Sequence, residues 1–130
     1  MPVEEDFQEV EYTPTPVIER NSISVYACVM LMYAACDDGQ IMVIPTMDNT
    51  SYQAGKFNME RNQEPRELAI WDDTVSQLMG KGYIKRVGRK DRIYQVTAEG
   101  YSLADAFREQ SNLDPSKKPN EILAEFGEGI

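Results

Sequence analysis

Residues 25–35, Val-Tyr-Ala-Cys-Val-Met-Leu-Met-Tyr-Ala-Ala, carry no charged side chain on any face. A helix this apolar all round has to be enclosed by other elements rather than laid along a surface. Asn21 or Ser22 offers the N-cap, and Asp37-Asp38-Gly39 ends the helix, with Gly39 suited to the left-handed stop. The run is too short to cross a bilayer. No signal-peptide pattern precedes it, so the expectation is a cytoplasmic chain with no membrane contact. At 130 residues one domain can bury roughly two-thirds of its unfolded surface without staples.

The side-chain inventory narrows the chemistry. There is no histidine, which removes Ser-His, Cys-His and His-metal arrangements together. Cys28 and Cys36 would stand roughly 12 Å apart along one helix, too far for a disulfide. Free thiols of that kind belong to a reducing compartment. The paired carboxylates Asp37-Asp38 and Asp72-Asp73 are the groups with some capacity for a cation. Neighbours on a helix diverge by about 100°, however, so Asp72 and Asp73 form a poor site, and Asp37-Asp38-Gly39 reads as a helix stop. Gly80, Gly82 and Gly88 fall in turns rather than in a phosphate-cradling loop. No catalytic residue, metal site or cofactor is expected.

Charge is unevenly placed. The chain has 13 Lys plus Arg against 22 Asp plus Glu, a net −9. Residues 1–20 hold six acids and one base, and residues 101–130 hold six acids and three bases. The middle is nearly neutral, yet Lys81, Lys85, Arg86, Arg89, Lys90 and Arg92 crowd together there with Asp91 as the one acid among them. Such a cluster either keeps a hairpin soluble and blunts its edge, or receives phosphate or an acidic protein surface.

Three regions follow from the patterning. Residues 1–20 are acidic, contain Pro2, Pro14 and Pro16, and read as a flexible N-terminal arm in which Tyr12-Thr13-Pro14-Thr15-Pro16 is extended. Residues 21–112 form the domain, and 113–130 a C-terminal loop and short helix. Within the domain, 40–47 reads as a strand on Ile41-Met42-Val43-Ile44, Asp48-Asn49 as a turn, and 50–53 as a returning strand. Residues 56–59 are a further short strand or a loop. The window 41–61 is expected to hold a β-hairpin and no complete helix. A second helix begins near Pro65 and buries Leu68, Trp71, Val75 and Leu78 on one face. Its opposite face is expected to show Arg66, Glu67, Ile70, Asp73, Thr74 and Gln77. Strands over 83–87 and 93–97 flank a charged turn, and Thr97 caps a third helix over 98–110. The fold class is α+β, with about three helices and two hairpins.

The run 71–107 resembles the winged-helix superfamily, in particular MarR-type and PadR-type regulators. Leu78, Lys81-Gly82-Tyr83-Ile84, Val96-Thr97 and Gly100 match their helix, Lys-Gly turn, aromatic-Ile strand and Val-Thr-x-x-Gly helix start. The resemblance implies a charged wing at 88–92. It also implies a preceding helix whose outer residues Arg66, Thr74 and Gln77 read bases in the major groove while Arg89, Lys90 and Arg92 meet phosphate. This chain departs from the pattern twice. Strands stand where the middle helix of the helix-turn-helix belongs, so the resemblance is to a modified winged helix. The candidate recognition helix carries Glu64, Glu67, Asp72 and Asp73 against Arg66 alone, and carboxylates repel phosphate. Similar modified winged-helix segments are appended to diverse bacterial proteins, some linked to defence, which implies docking in a bacterial or phage regulatory or defence-related setting.

Two functions are carried forward. The first is a non-enzymatic binding module that docks on a protein partner. It would use the wing residues Lys85, Arg86, Arg89, Lys90 and Arg92, or the helix face Arg66, Glu67, Ile70, Asp73, Thr74 and Gln77. The second is a DNA-binding regulator that gains affinity through the basic wing and a homodimer. An inhibitor whose acidic ends imitate nucleic acid rests on charge alone.

Overall fold

A computed structural model describes residues 23–45, 47, 50–60, 64–87 and 92–126. The acidic segment 1–20, the Asn21 and Ser22 caps, the Asp48-Asn49 turn and the wing tip with Arg89 and Lys90 lie outside the described residues.

The chain is α+β: the described residues form four helices and one five-stranded antiparallel sheet. In order these are α1 (Val25–Ala35), β1 (Gln40–Pro45), β2 (Thr50–Ala54), β3 (Phe57–Asn58), α2 (Pro65–Gly80), β4 (Ile84–Val87), β5 (Arg92–Val96), α3 (Ala98–Ser111) and α4 (Pro119–Glu125). Described residues of the window 41–61 include strands and no helix, as the β-branched run at Ile41 required.

The apolar helix is the centre of the molecule. Nine of the eleven residues of α1 are buried, because α2, α3, α4 and the sheet all pack on it. It starts later than the sequence suggests: Ser24 is the N-cap, its hydroxyl accepting from the Ala27 N–H at 3.2 Å. The Gly39 N–H closes the other end on the Ala34 carbonyl at 2.8 Å, with φ of +78° at the glycine.

The two hairpins form one sheet, in the order β3-β2-β1-β5-β4. Sequence patterning finds each hairpin but not the β1–β5 pairing that joins them, in which Ile41 faces Tyr94 and Met42 faces Ile93. Register then sorts the side chains. Ile41, Val43, Tyr52, Ala54, Tyr94, Val96 and Ile84 are buried on the face towards the helices. The other face carries Gln40, Met42, Ile44, Ser51, Gln53, Ile93 and Gln95, half-buried or exposed.

α3 starts where the resemblance places it. The Thr97 hydroxyl accepts from the Gly100 N–H at 3.1 Å and donates to the Gly82 carbonyl at 2.7 Å. Gly100 has a steric reason: a Cβ there would lie 2.2 Å from the Tyr83 carbonyl oxygen and 2.8 Å from Val96. Ile122 and Leu123 of α4 complete the core, and Phe126 stacks on Phe107 at 5.6 Å.

Candidate functional site

The second helix is rotated relative to its sequence reading. Glu67 is 0% exposed and Thr74 3% exposed, so neither is available to a partner. Residues 67, 71, 74 and 78 fall within about 60° of one another at 100° per residue, which makes Glu67 and Thr74 members of the Trp71–Leu78 stripe. The glutamate hides that stripe, because carboxylates are rarely found fully buried. Thr74 returns its hydroxyl to the Ile70 carbonyl at 2.7 Å. Gln77 is half-buried and its Oε1 accepts from the Ser24 N–H at 2.9 Å, tying α2 to the start of α1.

What α2 turns outward is a row of Arg66, Ala69, Asp73 and Ser76, with Asp72 and a 40%-exposed Met79 beside it and Ile70 half-buried. Ala69, Ser76 and Met79 are missing from the sequence reading. A helical wheel centred on Trp71 would have found them. Asp72 accepts from the Tyr52 hydroxyl at 3.4 Å. Burial and the Asp72 carboxylate together push the Tyr52 phenol up from its ordinary range. The outward row offers one guanidinium beside two carboxylates, an arrangement that repels a phosphate backbone.

The hairpin is different in character. Lys85 and Arg86 on β4 and Arg92 on β5 are all exposed, as is Lys81 in the turn after α2. Register puts Arg86 opposite Tyr94, and Tyr94 and Arg92 share the helix-side face of β5. Arg86 and Arg92 therefore project from one face of the sheet end. Lys85, opposite Gln95, projects from the other. Along that other face Val87, Ile93 and Met42 lie side by side across three strands, each half-buried. Ile44, 39% exposed, extends the apolar band. The structure thus sets Arg86 and Arg92 on one face of the sheet end and Lys85 on the other, with Arg92 near Tyr52, the residue whose hydroxyl meets Asp72 of α2.

Asp38 accepts from the Gln40 N–H at 3.0 Å, part of the turn that ends α1. A cleft of about 330 Å³ opens beside the end of α1, lined by Tyr33, Cys36, Asp37, Lys56, Phe57, Pro115 and Ser116. The Tyr33 hydroxyl donates to the Lys117 carbonyl, and burial with nearby Glu121 raises its pKa. Arg108 Nη1 stands 3.7 Å from Cys36 Sγ. Among the described residues no group of three or more Cys, Asp or Glu side chains is placed to hold a metal ion. No described helix is long and apolar enough to cross a membrane.

No protein-family model, curated protein or solved structure matches this chain.

Proposed function

We propose that this chain is a non-enzymatic, winged-helix-like module that docks on a protein partner in the cytoplasm, in a bacterial or phage regulatory or defence-related setting. One observation carries the reading. Lys85, Arg86 and Arg92 form an exposed basic hairpin, while the neighbouring helix that would have to enter a major groove turns Asp72 and Asp73 outward. The succession α2, β4, β5, α3, with Gly100 fitted against Tyr83, supports the winged-helix part. A wing without a groove-compatible helix suits an acidic protein surface better than duplex DNA, where base readout and phosphate contacts act together. The two free cysteines are consistent with a reducing compartment.

The basic hairpin also supports a second reading, a DNA-binding regulator that uses a homodimer to gain affinity. Affinity capture from native lysate, with and without nuclease, separates them. The docking reading expects a protein that survives nuclease and is lost by a Lys85→Glu, Arg86→Glu variant. Retention of nuclease-sensitive DNA would contradict it.

A further inference from the structure

The two edges of the sheet are finished differently. At one, β3 is two residues long. Just past it the Met59 N–H donates to the Tyr52 carbonyl at 2.7 Å, and Glu60 takes the Tyr52 N–H at 2.9 Å and the Ser51 hydroxyl at 2.8 Å. The outer side of β2 is thus taken up by its own chain, and the strand beyond it is too short to offer a long edge. At the other, β4 ends the strand order, and no described residue pairs with its outer side. The Thr97 N–H donates to the Tyr83 carbonyl at 3.0 Å, which fixes the alternation along the β4–β5 pair. Lys85 and Val87 bond to β5, and the main-chain groups of Ile84 and Arg86 point to the open side. Ile84 is buried and Arg86 exposed, so the accessible backbone centres on Arg86.

We infer that the open edge of β4 takes up an extended acidic segment of a protein partner as an additional antiparallel strand. The inference rests on the docking reading and gives it an address. Charge complementarity selects the occupant. A strand laid beside β4 would meet Arg86 and Arg92 on the helix-side face, and Lys85 beside the Val87–Ile93–Met42 band on the other. Acidic residues alternating with β-branched ones satisfy both faces at once. A second copy docking antiparallel through the same edge would set Arg86 or, in the neighbouring register, Lys85 against its own counterpart, and like charges opposite one another destabilise a strand pair. Duplex DNA brings charge but no main chain for the Arg86 N–H and carbonyl. Basic side chains thus discourage self-pairing while attracting one class of strand.

The test uses the full chain and a fluorescent peptide of about six residues, the usual strand length, alternating Glu and Val. Binding by anisotropy should weaken at least about tenfold in three cases: Arg86→Glu protein, a peptide with proline at its centre, and a peptide with Lys in place of Glu. Hydrogen exchange at the Arg86 amide should slow when the alternating peptide binds. Equal affinity for the proline-interrupted peptide would overturn strand addition, since charge alone would then suffice. So would the absence of any peptide binding, or protection of the Arg86 amide by self-association without peptide. A lysate partner still captured by Arg86→Glu protein would remove this edge while leaving protein docking in place. Tight duplex binding would remove both.

Discussion

The rings of Tyr26 and Trp71 meet edge to face, with centroids 5.4 Å apart and planes at 90°. The contact joins the central helix α1 to α2, and Trp71 is completely buried in it. Its indole Nε1 has no hydrogen-bond partner among the described residues, so the ring contributes through packing while its N–H opposes burial. Trp71→Ala should cost about 3–5 kcal/mol. Trp71→Phe keeps an aromatic edge and removes the orphan N–H, so it should cost less than about half of that. Urea unfolding of both variants checks the ordering. A Trp71→Ala protein melting within about 2 °C of wild type would contradict the burial.

Glu67 and Asp73 sit on the same helix with opposite exposures. Glu67→Lys puts an ammonium where a carboxylate is enclosed and should destabilise by about 3 kcal/mol or more. Asp73→Lys changes a solvated position and should stay within about 0.5 kcal/mol. Thermal melts of the pair test the rotation of α2. Similar small shifts for both would mean that Glu67 faces solvent.

Cys28 and Cys36 should react unequally. Burial pushes the Cys28 thiol up to about 12, whereas Cys36 is exposed. Iodoacetamide at neutral pH should add one group to the native chain and two to the unfolded chain, as read by intact mass. The raised Cys28 pKa also has a sign for stability. Its thiol form is fully favoured below the ordinary value of 9.0, and that contribution is lost as pH climbs from there towards the folded value. Stability should therefore fall over that alkaline range, and a Cys28→Ala variant should lose less over the same range. Two adducts on the native chain would contradict the burial of Cys28.

The helices were legible because their signals are local. An uncharged run marks α1, Pro65 with a Trp71–Val75–Leu78 stripe marks α2, and Thr97 with Gly100 marks the start of α3. Both hairpins were legible from β-branched residues and turn chemistry. The sheet that unites them was not, because β1 pairs with β5 across roughly two-fifths of the chain and leaves no local trace. Glu67 and Thr74 depart from the expected helix face because residue type alone sends polar side chains to solvent. At 100° per residue both fall on the Trp71–Leu78 stripe, and both are buried with it. The basic cluster was plain in the sequence, but the open edge of β4 depends on which strand ends the sheet.

Binding of the full chain to mixed-sequence duplex DNA, followed as salt is raised to physiological strength, tests the docking account most directly. The account predicts a Kd no tighter than the roughly 10⁻⁴–10⁻⁶ M of non-specific charge attraction. Replacing Arg86 and Arg92 with alanine should shift it only slightly. A Kd in the region of about 10⁻⁸ M or below, lost in that double variant with a shallower salt slope, would contradict the account and make the hairpin a DNA-reading wing.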